Sequence, residues 1–432
     1  MSPKVSIIGD SPLVTSGFAA VTKMVTKAFV DAKFDVSVLG CLDSKVRDTR
    51  KLPYFYYNVA SSDLLGFGGM LGFLQQTKPD VLFMVGDPGT LANRVKQFTM
   101  TGIKGVARSI CYFPVEGLPF QPGYASAIAQ FDYPVTYCAF GMKAFKKEYN
   151  MKVDYAWHGM DHAPFEEYGF GVRKEMRARA GFTDDVFLVS ATGVNKRTNR
   201  YPVLIEAMAR LLELGHDDIY MYLHTSPMDK NGGLMAGWDL SWMIDSYGAR
   251  DKFGKTHILF PPEQLGGEDL YRGISYKGKK TIDELLKTPK SGEGRSEADH
   301  VEFFGSLPFI ARMNLPDMFI DAGSCHGFNL CLGEFMCCGV PCATVDDGFA
   351  RSEIYVETGA AYGMKPSPTP DYWHTGAKLM LVDVDTVVDT ILALKADDVM
   401  RDTIAKKGKE FAESLKWSVL TDALVEAVSK LA

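Results

Sequence analysis

Short apolar runs alternate with stretches of helical periodicity along the chain. Residues 5–9 form an apolar run that ends on glycine, and the loop at residues 10–17 leads into a helical pattern at residues 18–29. The same succession then recurs, with further strands predicted at residues 35–40, 79–87, 104–112 and 133–137, and a helix near residues 64–76. Strands that alternate with helices are typical of a doubly wound α/β fold with a parallel sheet.

A second series with the same alternation begins at residue 186. Its predicted strands are residues 186–193, 219–224, 256–260, 300–304, 318–322 and 340–345, and its helices are residues 202–214 and 332–338. Residues 403–431 are amphipathic and predict two helices with a break near Trp417. Two open parallel sheets of the Rossmann-like kind are therefore expected.

The charged stretch around residue 170 is the best candidate for a connection between domains. We expect one Rossmann-like domain at residues 1–170, a second at residues 171–410, and a final helix at residues 411–432. Residues 261–297 break the alternation and are rich in turn formers and basic residues, which indicates an insertion in the second domain. A solvated loop explains this insertion better than a binding arm does.

Composition limits the classes of function. The 432 residues can bury two cores, and 47 Lys+Arg against 53 Asp+Glu leave a net charge of -6, which supports neither a chain-wide nucleic-acid footprint nor a polybasic membrane protein. The eight cysteines show no CxxC pairs, which favours reduced thiols and argues against structural zinc. The longest apolar stretch, residues 64–74, is too short to span a bilayer. A cytoplasmic location is expected.

Candidate chemistry lies in loops that follow strands, because parallel sheets bind ligands where strands lead into helix N-termini. Gly17 lies in the first such loop, where a missing Cβ lets backbone approach a phosphate; alone, this signal is weak. Gly193 opens the second loop, which carries Lys196, Arg197 and Arg200 just before a helix. Cations are disfavoured at a helix N-terminus, so these three indicate a bound anion, for which a nucleoside diphosphate is well suited.

The third loop spans residues 321–341, and several of its residues recur in one known signature. The matching residues are Ser324, Gly327, Phe328, Leu330, Glu334, Met336, Gly339 and Pro341, continued by residues 346–348 and Glu353. On these residues the segment resembles the large retaining glycosyltransferase family with the GT-B fold, to which sucrose synthases and many mannosyl- and glucosyltransferases belong. Weaker similarities are residues 158–161 with Phe165, residues 223–225, Gly305 and Lys416 with Trp417.

The resemblance implies two facing Rossmann-like domains with a cleft between them, a nucleotide-sugar donor, and no requirement for a metal or another cofactor. Glu334 would hold the nucleotide ribose, and the amides of Phe328, Asn329 and Leu330, next to Gly327, would contact the donor sugar and phosphates. Arg200, with Lys196 or Arg197 as partner, would bind the diphosphate, and Gly17 would approach it from the opposite domain. The last helix would cross back to the first domain.

Two positions depart from the signature. His326 stands where the family has its first glutamate, and Asn329 replaces a common glycine. Imidazole cannot offer the carboxylate contact to a donor sugar, so we expect His326 to hydrogen-bond a sugar hydroxyl or a phosphate. A histidine satisfied within its own loop is the alternative. Met336, Cys337 and Cys338 are better explained as core filling.

The acceptor side is expected from the first domain, with Asp87, Glu116 and His158 as candidates. Glu116 lies between prolines after an apolar strand, and a turn carboxylate is nearly as good an interpretation. The same segment, residues 114–122, resembles transferases of bacterial viruses, some of which glycosylate modified DNA bases. In that case Lys143, Lys146, Lys147 and the basic residues at 277–295 would contact phosphates, and the host cytoplasm would be the location.

Three hypotheses from different classes remain. A retaining glycosyltransferase with a small-molecule or glycan acceptor is favoured. A DNA glycosyltransferase that acts on a hydroxymethylated base is second. A catalytically silent nucleotide-sugar binding protein is third, suggested by His326. An NAD-dependent enzyme is disfavoured because the first loop lacks GxGxxG.

Overall fold

The computed structural model describes residues 2–14, 16–43, 48–100, 107–162, 164–228, 236–261, 309–324, 326–372 and 376–432. The predicted strand at residues 300–304, Gly305, the basic residues 277–295 and nearly all of the insertion lie outside the described residues.

The chain divides into two compact units. One comprises Met1–Gly159, Tyr372–Lys378 and Leu415–Ala432, and the other comprises Met160–Asp371 and Leu379–Ser414. The sequence had suggested a boundary near residue 170.

The first unit is built on a parallel sheet. Its strands within the described residues are β1 (Lys4–Asp10), β2 (Asp35–Cys41), β3 (Phe55–Asn58), β4 (Val81–Val85), β5 (Arg108–Phe113), β6 (Tyr133–Thr136) and β7 (Asp154–Tyr155), in the order β3-β2-β1-β4-β5-β6-β7. Every residue of β4 is buried, because helices cover both faces of a doubly wound sheet. These helices are α1 (Gly17–Asp31), α2 (Met70–Thr77), α3 (Pro88–Met100), α4 (Pro122–Ile128) and α5 (Ala139–Tyr149).

The second unit repeats the architecture. Its strands are β8 (Phe187–Thr192), β9 (Ile219–His224), β10 (Ile258–Leu259), β11 (Met318–Asp321), β12 (Cys342–Val345) and β13 (Tyr362–Met364), and among the described residues they pair in the order β10-β9-β8-β11-β12-β13. Its helices are α6 (Phe170–Arg179), α7 (Tyr201–Glu213), α8 (Leu240–Ser246), α9 (Phe309–Met313), α10 (Leu330–Cys337), α11 (Val384–Ala396) and α12 (Asp398–Ser414). The strands β14 (Asp371–Tyr372) and β15 (Lys378–Leu379) form a separate small sheet.

The last helix, α13 (Trp417–Leu431), belongs to the first unit. It follows α12 after a break at residues 415–416, which confirms the predicted break near Trp417. Leu420, Leu424 and Val428 are fully buried on one face of α13, which packs against α1. Among the described residues, we find no helix with the length and apolar character that crossing a membrane requires.

Strand order fixes where ligands can bind. In the first sheet β1 lies between β2 and β4, and in the second β8 lies between β9 and β11. The connections that follow β1 and β4, or β8 and β11, therefore leave in opposite directions from neighbouring strands. A parallel sheet opens a crevice at such a switch point, at the carboxyl ends of the strands. The predicted loops follow β1, β8 and β11, which are three of these four strands.

Candidate functional site

The second and third predicted loops contact each other at the carboxyl edge of the second sheet. Their strands are neighbours, with Met318 paired to Val189. The Ser324 amide donates a hydrogen bond to the Thr198 carbonyl at 2.8 Å, and His326 Nε2 donates to Asn199 Oδ1 at 3.0 Å. Two segments about 125 residues apart in sequence thus form one surface.

Backbone conformation shapes the loop after β8. Gly193 has a φ of 153°, and a Cβ there would lie 2.7 Å from Asn199 Nδ2. This position needs glycine because a side chain would displace Asn199, which donates to the Val194 carbonyl at 2.6 Å. A 3-10 turn at Arg197–Asn199 then leads to Arg200, whose left-handed φ of 56° precedes the first turn of α7.

Three cationic side chains follow from that backbone path. Arg197 is exposed, while Lys196 and Arg200 are half-buried. Within the part of the chain that the structure describes, no hydrogen bond or ion pair engages these three side chains. The first turn of α7 contains no acidic residue, so the positive end of its dipole adds to their charge. This edge of the sheet therefore favours an anion.

The loop after β11 ends at the N-terminus of α10. Buried Phe328, next to buried Gly327, packs edge-on against Tyr355 with ring centroids 6.0 Å apart. Asn329 adopts a left-handed φ of 53° and Leu330 begins the helix. Asparagine tolerates this conformation better than most residues, which explains how it can stand where the signature that this loop resembles has a glycine. Its side chain is used as well, since Nδ2 donates to Asp321 Oδ2 at 2.8 Å.

Glu334 lies in α10 and is 5% exposed. Burial raises the pKa of the Cys337 thiol to about 12 and also raises the pKa of Cys338. The negative charge of Glu334 raises both pKa values further. These thiols stay protonated near neutral pH and are not activated nucleophiles. Together with fully buried Met336, they fill the core, as the sequence predicted.

Sequence reasoning missed the buried charges beneath the third loop. Asp321, the last residue of β11, pairs with Arg351 Nη1 at 3.0 Å, and Arg351 pairs with Asp347 at 2.9 Å. Burial acts to raise the pKa of Asp321, but the adjacent His326 and Arg351 outweigh it and hold that pKa well below its usual range. A carboxylate at a strand end was the available signal, but its partner lies 30 residues away.

In the first unit, the loop after β1 is organised around Asp10. Ser16 caps α1 by accepting a hydrogen bond from the Ala19 amide at 2.9 Å, and its hydroxyl donates to Asp10 at 2.5 Å. Burial raises the pKa of Asp10, and the charge of Asp87 adds to this effect. Gly17 begins the helix, and a Cβ there would meet nothing within 4 Å, so packing does not require glycine.

Two acceptor-side candidates lie at the same end of the first sheet. Asp87 is exposed and caps α3, accepting hydrogen bonds from the Thr90 amide at 2.9 Å and hydroxyl at 2.6 Å. Glu116 is half-buried. Burial raises the pKa of the Tyr137 hydroxyl, and the charges of Glu116, Asp10 and Asp87 raise it further.

His158 does not fit the acceptor role expected of it. The side chain is 3% exposed, and its ring stacks on Trp417 with centroids 6.0 Å apart. Nδ1 lies 2.9 Å from the Tyr112 hydroxyl, and burial lowers the pKa of His158 to about 3. The stacked ring and the bond to Tyr112 make this a neutral core histidine, and Asp87 and Glu116 remain as acceptor-side candidates.

The lysines of α5 were the other candidate phosphate contacts. Lys143, Lys146 and Lys147 are exposed on α5, and Lys146 bonds Asn150 at 2.7 Å, as expected of a solvated helix face. In the described ranges, no group of three or more His, Cys, Asp or Glu side chains could hold a metal ion.

Solved structures identify the fold. The glycosyltransferase of Rickettsia africae ESF-5 superposes with a TM-score of 0.64 at 11% identity, covering 100% of this chain and 98% of that chain. Sucrose-phosphate synthase of Thermosynechococcus elongatus gives 0.67 at 11% identity, covering 100% and 99%. HepE of Anabaena, solved in complex with UDP and glucose, gives 0.63 at 11% identity, covering 99% of each chain. The chain therefore has the GT-B fold, as predicted. By sequence it matches no protein-family model and no curated protein.

Proposed function

We propose that this chain is a retaining glycosyltransferase that moves a sugar from a nucleoside diphosphate sugar to an acceptor hydroxyl. The observation that carries the proposal is the joined pair of loops after β8 and β11, where Lys196, Arg197 and Arg200 have no partner among the described residues. The fold supports it, because similar structures are glycosyltransferases and one of them holds UDP and glucose.

The proposed chemistry concerns charge on the leaving group. As the bond to the anomeric carbon breaks, the nucleoside diphosphate gains negative charge, and preorganised cations and amides stabilise it. Lys196, Arg197 and Arg200 would supply the cations, and the loop at 327–330 would supply amides. Glu334 would accept hydrogen bonds from the ribose. Retention, without a metal or a covalent protein nucleophile, is carried over from the family resemblance.

The acceptor is expected to bind in the first unit. Asp87 and Glu116 would bind acceptor hydroxyls, because carboxylates are strong hydrogen-bond acceptors. Such groups suit a glycan or a small polyol. A modified-DNA acceptor would draw on the solvated lysines of α5.

Donor binding can be tested by thermal shift with UDP-glucose, GDP-mannose and ADP-glucose. At a concentration of a hundred times Kd, the correct donor should stabilise the protein by about 2.7 kcal/mol through mass action. Arg200→Ala and Glu334→Gln should abolish this shift. Arg210→Ala is the matched control: it removes an exposed cation from the far end of α7, paired only with Glu213 among the described residues, and should leave the shift intact.

Turnover then separates the three hypotheses. Release of nucleoside diphosphate that rises with a glycan or small acceptor supports the proposed transferase. Release that requires duplex DNA, with salt-sensitive binding, would favour the DNA-modifying enzyme. Donor binding accompanied by neither transfer nor slow hydrolysis would support the silent binding protein. If none of the donors shifts the melting curve, the site assignment is wrong.

A further inference from the structure

The ring of His326 is engaged on both sides within the protein. Nε2 lies 3.0 Å from Asn199 Oδ1, while Nδ1 lies 3.3 Å from Asp321 Oδ2 and 3.2 Å from Asn329 Nδ2. Each imidazole nitrogen offers one hydrogen-bonding direction in the plane of the ring. Both directions are therefore taken up by neighbouring side chains, and the side chain is 19% exposed.

Asp321, which faces Nδ1, is itself tightly held. Its carboxylate accepts hydrogen bonds from the Gly323 amide and from the Thr344 hydroxyl, each at 3.0 Å, in addition to Asn329 Nδ2. Arg351 is a further donor to this carboxylate. It is 0% exposed and donates to Asp321 Oδ2 and to the Gly323 carbonyl. A carboxylate with this many donors has one orientation, and so does the ring that rests on it.

We propose that Asp321 and Arg351 form a buried positioning pair that holds His326 between the loops after β8 and β11. His326 thereby fixes the distance between the phosphate-binding cations and the loop amides, and it does not contact the donor sugar. Asp321, Arg351 and His326 are positioning residues in this scheme. The inference rests on the proposed function, because it treats these loops as the donor site.

A loss of activity alone would not distinguish a positioning role of His326 from a direct contact with the donor sugar. A direct sugar contact strengthens binding of the nucleotide sugar alone. A positioning residue acts through the cations and amides, which bind the diphosphate, so it changes the affinity for the free nucleotide and for the nucleotide sugar by the same factor. The ratio of the two Kd values is therefore the quantity to measure.

Calorimetry on the full chain with UDP and UDP-glucose, or the GDP or ADP pair that the donor panel selects, makes this test. His326→Asn and Asp321→Asn should each raise both Kd values on the order of tenfold, with an unchanged ratio. The double variant should bind no more weakly than the weaker single variant, because the residues act as one unit. Asp317→Asn is the matched control: it removes the charge that pairs with Arg173 at 2.7 Å and with Arg177 at 2.9 Å, just before the opposite end of β11, and it should leave both Kd values unchanged.

A selective loss of nucleotide-sugar affinity in His326→Asn would overturn the proposal in favour of a sugar contact, and unchanged affinities would overturn it outright.

Hydrogen exchange provides a second test, which needs no ligand. Amides at residues 194–200, 322–324 and 326–330 should exchange faster in His326→Asn, and in Asp321→Asn if it folds, but not in Asp317→Asn. Unchanged exchange contradicts positioning. If wild-type protein binds none of the nucleotides, the proposed function fails, and the exchange result still decides the positioning.

Discussion

At the scale of single residues, burial sets the chemical state of His158. The ring is surrounded by aromatic side chains, with Tyr137 at a centroid distance of 4.5 Å and Trp417 at 6.0 Å. Burial lowers its pKa to about 3, against an ordinary value of 6.5. The folded protein therefore resists protonation of a group that the unfolded chain protonates readily.

This difference predicts a pH-dependent stability. Because the unfolded state binds the proton first, the contribution of His158 is complete above about pH 6.5 and is lost as the pH falls towards 3, by about 1.4 kcal/mol per pH unit. Urea unfolding at pH 7, 6 and 5 measures it. The free energy of unfolding of His158→Gln should fall less steeply with acid than that of wild type. Parallel pH profiles for the two proteins would contradict a buried neutral histidine.

Residue scale also shows where sequence reasoning reached its limit. The cations at 196, 197 and 200 could be found because strand, glycine, cations and helix follow each other in the chain. The burial of His158 could not be found from the sequence, because it depends on Trp417, which lies 259 residues further on. The proposed positioning pair could not be found for the same reason, since no residue near Asp321 in the sequence indicates that Arg351 is its partner.

At the scale of elements, Gly159 determines how α13 begins. A Cβ at this position would lie 2.1 Å from the Trp417 amide nitrogen and 2.5 Å from the Lys416 carbonyl carbon, both backbone atoms that cannot rotate away. His158 and Gly159 thus form one structural feature with Lys416 and Trp417: the chain packs backbone on backbone where the final helix starts.

Gly159→Ala should therefore destabilise the protein by about 1–3 kcal/mol, the usual cost of overpacking. Equilibrium unfolding in urea gives the value. Gly171→Ala is the matched control, because a Cβ there would meet nothing within 4 Å in the first turn of α6, where alanine favours the helix. Equal stability of the two variants would show that the close approach is absent in solution.

Element prediction succeeded where patterns were long. The strands β1, β2, β4, β8 and β9 and the helix α7 were found because apolar runs and helical periodicity are local signals. The short strands β3 and β7 and the helices α8 and α11 were not predicted. Helix α2 begins at Met70, later than the predicted residue 64, because Gly66, Gly68 and Gly69 precede it.

At the scale of the whole molecule, a net charge of -6 coexists with a local surplus of positive charge after β8. An acidic protein repels a nucleoside diphosphate at long range, so binding must come from Lys196, Arg197 and Arg200 close to the phosphates. Arg197 is the exposed member of this set, and its contribution is the one that dissolved ions screen most.

Affinity for the selected nucleoside diphosphate should therefore fall as NaCl is raised from about 50 to about 500 mM, because the Debye length shortens with ionic strength and the exposed cation is screened. In Arg197→Ala, Kd at low salt should rise several-fold and its dependence on salt should become shallower. Calorimetric titrations across the salt series measure both effects. An identical slope in wild type and variant would remove Arg197 from the site.

The sequence by itself determined the alternation of strands and helices and the loops that carry candidate chemistry, because each of these is encoded by residues close together in the chain. The GT-B fold was implied by the resemblance to a known family, not by local pattern. Only the tertiary structure decided the surroundings of those residues. It brought the loops at Asn199 and His326 together, buried His158 among aromatic rings and placed Arg351 beneath Asp321. Burial and charge pairing depend on segments that meet only after folding, so no local pattern can specify them.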